Sequence, residues 1–241
     1  MFIIPTLRNL KQMSIRILFV TVFIFSINAF TAEKEMPSTF KDGDASKGSN
    51  LIASCAACHG ADGNSISSDW PKLAGQNQRY LLEQLQYFKS GERVNILMSS
   101  VLPILNSYTD QDLLDIAAFY SSQIQTNGQA EDDAELLAVG EALYRSGDMK
   151  KAIPACTACH SVNGKGNELA GFPSVAGQQK AYLVSTLKAY RSMERDAGDY
   201  ALVMQAVSQN LSDYEIEALA NYMHGLYAVS YTHLRAHETP E

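Results

Sequence analysis

Positive charge is scarce in this sequence. The 241 residues include 19 Lys and Arg against 26 Asp and Glu, so the formal net charge is −7. Nucleic-acid binding needs a concentrated basic face, and adhesion to anionic lipid needs clusters of Lys and Arg. The composition therefore argues against both functions, and it is compatible with a partner protein that has a basic docking surface.

Long apolar stretches are also lacking. The longest covers residues 17–30, and it is shorter than the roughly 20 residues that a membrane-spanning helix requires. Basic but no acidic residues precede it, and small residues follow it, as in a secretory signal. We expect residues 1–32 to be a signal peptide for export, with an uncleaved N-terminal anchor as the alternative.

The opposite end of the chain is atypical. Residues 230–241 read S-Y-T-H-L-R-A-H-E-T-P-E and resemble translated sequencing-adapter read-through. We expect this segment to be a non-native tail that takes no part in the fold. A natural flexible tail is the alternative, and in neither case do we expect His233 or His237 to bind a metal.

Cysteine is sparse as well, and its placement is the most informative feature of the chain. All four cysteines belong to two C-x-x-C-H motifs about a hundred residues apart: Cys55, Cys58 and His59, then Cys156, Cys159 and His160. In this motif each cysteine sulfur can bond to a haem vinyl group, while the adjacent histidine binds the iron. The sequence therefore predicts two covalently attached haem c groups per chain.

Other uses of the cysteines fit less well. Zinc ribbons place their two cysteine pairs roughly 15–20 residues apart, which is far closer than these pairs. A thioredoxin-like site needs one motif beside a strand and does not require a histidine after each pair. Disulfides are disfavoured because no cysteine remains as a partner once the motifs are formed.

The region between the two ends is a tandem duplication. The stretch W-P-K-L-A-G-Q at Trp70–Gln76 is echoed by F-P-S-V-A-G-Q at Phe172–Gln178. We predict an N-terminal domain over residues 33–124, a linker at 125–133 and a C-terminal domain over 134–229. Domains of this size have small apolar cores, and a buried haem supplies much of the missing apolar volume.

Both halves have the apolar periodicity of helices, and alternating strand patterns are absent. The last helix of each half has apolar residues at i, i+3, i+4 and i+7. Thr109 with Asp112 and Ser212 with Glu215 have the spacing of a capping box. The predicted fold is therefore all-α, with two tandem domains that are each a small helical bundle around one haem.

Each haem iron needs a second axial ligand, and a methionine thioether is the first candidate. In the first half, Met98 is the only methionine between His59 and the linker. The second half offers four: Met149, Met193, Met204 and Met223. Met204 matches the spacing of Met98 best, Met193 is the alternative, Met149 precedes its haem motif, and Met223 lies on an apolar helix stripe.

Two prolines in the repeated stretch are candidates to orient the histidines. An axial histidine usually donates its other ring N–H to a nearby carbonyl. Pro71 and Pro173 have no N–H of their own and can present such a carbonyl. A rigid turn before the next helix is an additional role for both residues.

These motifs resemble those of the dihaem cytochromes c of the c4 type, over residues 41–227. The shared stretches are P-K-L-A-G-Q at 71–76, F-P-x-x-x-G-Q at 172–178, D-x-x-D-I-A-A-F at 112–119 and I-E-A-L at 216–219. The resemblance implies two class I cytochrome c domains whose haems lie close together. It implies axial ligation by His59 with Met98 and by His160 with Met204.

The resemblance also implies a role and partners. We expect a periplasmic electron carrier, not an enzyme, that takes electrons from a cytochrome bc complex or another donor and delivers them to a terminal oxidase. It is expected to be a monomer or weak dimer, and peripheral association with a membrane stays open. The alternatives are the cytochrome subunit of a dehydrogenase such as a flavocytochrome, and a dihaem peroxidase.

Overall fold

The computed structural model describes residues 42–227. The predicted signal peptide and the predicted non-native tail lie outside this range. The described chain contains ten α-helices, named α1 (Ala45–Gly48), α2 (Ala53–His59), α3 (Gln78–Ser90), α4 (Leu102–Ser107), α5 (Asp110–Ser122), α6 (Ala134–Ser146), α7 (Thr157–His160), α8 (Lys180–Arg191), α9 (Ala201–Ser208) and α10 (Asp213–Gly225). Short 3₁₀ turns occur at Met98–Val101 and Met149–Lys151.

The all-α prediction is confirmed. Between residues 42 and 227 the only β pairing consists of isolated bridges, such as that between Asp148 and Ile153. No helix in this range is both long enough and apolar enough to cross a bilayer. The described residues belong to one compact unit that contains both halves of the duplication.

The predicted apolar stripes form the core of each half. In α5, Leu113, Ile116, Ala117 and Tyr120 are at most 2% exposed. In α10 the matching stripe is Ile216, Leu219, Ala220 and Met223, which is at most 5% exposed. Each of these terminal helices packs against the helix that follows the haem motif, α3 in the first half and α8 in the second.

Both terminal helices begin with the predicted capping box. The Thr109 hydroxyl accepts a hydrogen bond from the Asp112 N–H, and the Asp112 carboxylate accepts one from the Thr109 N–H. Ser212 and Glu215 make the same pair of bonds at the start of α10. Each box satisfies two otherwise unpaired backbone groups and fixes where the helix starts.

The first helix of each half crosses the terminal helix at a glycine. A Cβ atom at Gly48 would lie 2.0 Å from the Asp115 carbonyl oxygen, and one at Gly140 would lie 2.2 Å from that of Ala218. Only glycine permits so close a backbone approach. The two halves differ in helix length, because α1 has 4 residues whereas α6 has 13.

Candidate haem-binding sites

In the first half, the motif lies on α2 and ends at a buried histidine. His59 is the last residue of α2 and is 6% exposed. Its Nδ1 lies 2.8 Å from the carbonyl oxygen of Pro71. A carbonyl can only accept, so Nδ1 carries the proton and Nε2 keeps a lone pair that can bind a metal.

The second half repeats this geometry. His160 ends α7, is 9% exposed, and has its Nδ1 2.9 Å from the carbonyl oxygen of Pro173. The predicted histidine-to-proline hydrogen bonds are therefore confirmed in both halves. They fix the ring orientation and the tautomer of each histidine, which is the usual arrangement behind a metal-binding imidazole.

Burial keeps both imidazoles neutral. Loss of solvation lowers the pKa of His59 and of His160, and the hydrogen bond to the proline carbonyl acts in the opposite direction. The neutral ring is the form that binds a metal ion. Both histidines are therefore in the protonation state that iron ligation requires.

The cysteines are half-buried beside the same cores. None of the four, all of which lie in the described range, forms a disulfide. Burial raises the pKa of Cys55 and raises that of Cys156 to about 11. Neither is therefore a reactive thiolate at neutral pH, unlike the low-pKa cysteine of a redox-active C-x-x-C pair.

Met98 is half-buried at the start of a 3₁₀ turn. It packs against a cluster of Phe88, Leu105 and Leu113. Leu82, Leu85 and Tyr108 contact both this cluster and the neighbouring one on which Cys55 packs. Met98 and the first haem motif thus lie on adjoining parts of one apolar region.

The four methionines of the second half are clearly separated by their surroundings. Met204 lies on α9 and packs, with Cys156, against the buried core of that half. Met193 is 63% exposed and Met149 is 87% exposed, while Met223 is buried within the core cluster. Met204 is thus the one that combines partial burial with a place beside the haem motif.

The donor groups fit haem iron. Each half offers a neutral imidazole with a free Nε2 and a thioether next to an apolar cluster. Histidine with methionine is the axial pair found in electron-carrying cytochromes c, where it raises the reduction potential. When bound, the haem supplies an iron that alternates between the ferric and ferrous states, and the residues around it fix its ligands and exclude water.

Two buried glutamines join the halves, and the sequence did not predict their contacts. The Oε1 of Gln178 accepts a hydrogen bond from the Lys72 N–H (2.7 Å), and its Nε2 donates to the Lys72 carbonyl (2.9 Å). Gln76 makes the same two bonds to Ser174, also at 2.7 and 2.9 Å. The only signal in the sequence was the repetition of A-G-Q, which marks the residues but not their partners.

Lys72, whose backbone contacts Gln178, is unusual because its side chain is buried. It is 5% exposed, and its ammonium group donates to the carbonyl oxygen of Thr126 at 2.7 Å. Burial lowers its pKa. Ser174 occupies the matching position in the second half, so the first half alone has a buried cation here.

These features define a protein with two c-type haem sites on one repeated helical scaffold. The family model described as Cytochrome c matches residues 45–123 and 138–226. The chain belongs to the cytochrome c family, and relatives named cytochrome c4 at 43–44% identity show that it is of the two-domain c4 type. It therefore binds two haem c groups and is an electron-transfer protein, which sets aside the dihaem peroxidase as an alternative.

Named relatives and a solved structure agree with this assignment. The chain is 44% identical over 191 residues to cytochrome c4 of Stutzerimonas stutzeri, covering 77% of this chain and 90% of the relative. It is also similar to the crystal structure of reduced recombinant cytochrome c4 from Pseudomonas stutzeri, with a TM-score of 0.72 and 45% identity; the match covers 77% of this chain and all of that one. A relative from Thiomonas intermedia (strain K12), named thiosulfate dehydrogenase electron acceptor, is 34% identical; the match covers 71% of this chain and 77% of the relative.

Proposed function

We propose that this protein is a periplasmic electron carrier of a respiratory chain. In this role it accepts electrons from a cytochrome bc complex or another donor and passes them to a terminal oxidase. The observation that carries the proposal is the pair of matched sites, in which His59 and His160 each donate a hydrogen bond to a proline carbonyl. Met98 and Met204 pack against the apolar clusters of the same two halves. The signal sequence expected over residues 1–32 supports export.

The proposed ligands are His59 with Met98 and His160 with Met204. Thioether sulfur favours ferrous iron, and two protein ligands leave no open coordination position. The hydrogen bonds from the histidines to the proline carbonyls would hold both rings in one orientation in either oxidation state. These are properties of a carrier. The proposed domains span residues 33–124 and 134–229.

A second candidate is the dedicated electron acceptor of a dehydrogenase. The relative from Thiomonas intermedia is named as an acceptor for thiosulfate dehydrogenase. Such a protein shares the haem architecture and differs in having one principal donor. The acidic composition of the chain is compatible with either partner, provided that the partner presents a basic surface.

The two candidate functions are distinguished by measuring which donor enzyme reduces the protein. Purified protein is mixed with a cytochrome bc complex and quinol, or with a thiosulfate dehydrogenase and thiosulfate, and haem reduction is followed by stopped-flow absorbance. Reduction by the bc complex followed by oxidation by a terminal oxidase supports the respiratory role. Reduction by the dehydrogenase alone supports the second candidate and contradicts the first.

A further inference from the structure

The two buried glutamines contact the backbone at a particular peptide group. Pro71 and Lys72 share one peptide bond, whose carbonyl oxygen accepts from His59 Nδ1 at 2.8 Å. The N–H of that same peptide group donates to Gln178 Oε1 at 2.7 Å. A histidine of one domain is therefore linked, through one peptide group, to a side chain of the other domain.

The reverse link has the same form. The Pro173 carbonyl accepts from His160 at 2.9 Å, and the N–H of the same peptide group, which belongs to Ser174, donates to Gln76 Oε1 at 2.7 Å. Gln76 is 6% exposed and Gln178 is 5% exposed. Both hydrogen-bonded chains thus run through a region with little competing water.

The orientation of both amides is determined by their partners. Each Oε1 accepts from two backbone N–H groups. One is across the interface, and the other belongs to the residue that follows the glutamine, Asn77 after Gln76 and Gln179 after Gln178, each at 2.9 Å. Each Nε2 faces a carbonyl oxygen, at 2.9 Å. Because N–H groups only donate and carbonyls only accept, the opposite amide orientation would lose these bonds.

We propose that Gln76 and Gln178 are positioning residues that tune the axial histidine of the opposite domain. Consecutive hydrogen bonds polarise one another, by about 10–30% per bond. A bond to the peptide N–H makes the carbonyl of that peptide a stronger acceptor, and the histidine that donates to it becomes a stronger electron donor to iron. The stronger donor stabilises ferric iron, so each glutamine lowers the reduction potential across the interface. This inference rests on the proposed iron ligation by His59 and His160.

The test is a pair of variants of the full haem-loaded protein, Gln178→Met and Gln76→Met. Methionine has a similar length, and its thioether sulfur is only a weak acceptor for the peptide N–H. We expect Gln178→Met to raise the ferrous-to-ferric ratio of the N-terminal haem, at a fixed potential, about threefold. For a one-electron couple, a tenfold change in this ratio corresponds to 59 mV, so the reduction potential of the N-terminal haem should rise by about 28 mV. Gln76→Met is expected to do the same to the C-terminal haem.

The two haems are followed separately in a redox titration by NMR of their methyl protons. Assignment uses a Cys55→Ala, Cys58→Ala variant, which lacks covalent haem in the first half. Gln179→Met is the matched control, because it removes another bond between the halves, from Gln179 Nε2 to the Ser65 carbonyl at 2.7 Å. That bond does not involve a peptide group bound by a histidine, so neither haem should shift.

A second pair of variants keeps the test decisive if the methionine variants do not fold. Gln178→Glu retains an oxygen that accepts from Lys72 N–H, but its second oxygen faces the Lys72 carbonyl and must carry a proton to keep that bond. A neutral carboxyl oxygen accepts more weakly than an amide oxygen, so this variant is expected to raise the ferrous-to-ferric ratio of the N-terminal haem, by less than Gln178→Met does. Gln179→Glu makes the same change at the bond to the Ser65 carbonyl and should shift neither haem. A rise in the ratio of the N-terminal haem that occurs in Gln178→Glu and not in Gln179→Glu supports the proposal, and an equal rise in both variants, or none, overturns it.

The outcomes distinguish this inference from the proposed function. If the unmodified protein lacks two low-spin covalent haems, the proposed function itself is wrong. If the protein has both haems, three results of Gln178→Met would overturn the inference: a shift of the C-terminal haem alone, an equal shift of both haems, or no shift of either. In each case the glutamines are only structural. A shift confined to the opposite haem in each variant supports it.

Discussion

The two haem domains share the parts that hold the histidine and differ in the parts around it. His59 with Pro71 and His160 with Pro173 have hydrogen-bond lengths of 2.8 and 2.9 Å. The residue after the proline, however, is a buried lysine in the first half and a serine in the second. The hydrogen bond that orients the histidine is thus common to both domains, and local charge is one place where their potentials can diverge.

A second difference concerns the methionines. Met98 begins a 3₁₀ turn that continues into the short helix α4, whereas Met204 lies inside the eight-residue helix α9. A regular helix fixes a side chain through a continuous set of backbone hydrogen bonds, and a 3₁₀ turn does so less firmly. The same proposed ligand is therefore presented on two different backbone supports.

The largest expected effect is the loss of one haem. Replacing Cys55 and Cys58 by Ala removes both thioether attachments in the first half, so one covalent haem per chain should remain, in the second half. The measurements are a haemochrome spectrum and the mass of the protein. The mirror variant at Cys156 and Cys159 is the control, and retention of two covalent haems in either variant would contradict the assignment.

The next largest effect concerns the proposed sixth ligands. Met98→Ala or Met204→Ala should abolish the thioether-to-ferric-haem absorption band of that domain alone. The potential of that domain should fall by on the order of 100 mV, since axial ligands tune haem over about 0.8 V. Met193→Ala is the control because this residue is 63% exposed. An unchanged spectrum in either ligand variant means that the ligand is another residue.

A smaller effect should follow from the buried lysine. Lys72→Met removes a buried positive charge from the residue that follows Pro71, the hydrogen-bond partner of His59. The potential of the N-terminal haem should therefore fall by an amount on the order of 1 kcal/mol. Ser174→Ala changes no charge and should leave the C-terminal haem unaltered. The measurement is a redox titration that resolves both haems, and equal shifts of both in Lys72→Met would argue against a local charge effect.

The same lysine should make the two haems differ in their pH dependence. Burial lowers the pKa of Lys72. Below that pKa the ammonium is present and raises the reduction potential of the N-terminal haem. As the pH rises through the pKa of Lys72, the charge is lost and this potential falls toward the value in the Lys72→Met protein. The Lys72→Met protein should not show this pH-dependent decrease in the potential of the N-terminal haem. If the decrease persists in that protein, another titrating group causes it.

The smallest effect should be equal in the two halves. Thr109→Ala and Ser212→Ala each remove one capping box, which is worth about 1 kcal/mol of stability. Each variant should lower the urea midpoint of the haem-loaded protein by a similar amount. Thr109→Ser and Ser212→Thr keep the hydroxyl and serve as controls. A clear difference between the two Ala variants would show that the terminal helices are not equivalent in stability.

Local features of the fold could be predicted because they depend on short spacings. The terminal helices, their capping boxes and their apolar stripes follow from residues three to seven positions apart. The hydrogen bonds from His59 and His160 were also predicted, because the repeated stretch places a proline 12 residues after the first histidine and 13 after the second. The choice of Met204 over Met193 followed from spacing alone and stays a prediction as a ligand.

Contacts between the halves could not be predicted in this way. The bonds of Gln178 to Lys72 join residues 106 positions apart, and those of Gln76 to Ser174 join residues 98 apart. They depend on how two folded domains pair, which leaves no periodic pattern in the sequence. The burial of Lys72 was missed for the same reason, since lysine is rarely buried and its cover comes from the other half and from the linker.

The central claim is that each half binds one covalent haem whose iron is closed on both sides by protein ligands. The most direct test combines the mass of the mature protein with its ferric absorption spectrum, before and after addition of cyanide. The account predicts two covalent haems, both low-spin with a thioether band, and slow or no cyanide binding. A colourless protein, a single haem, or a high-spin haem that binds cyanide readily would contradict it.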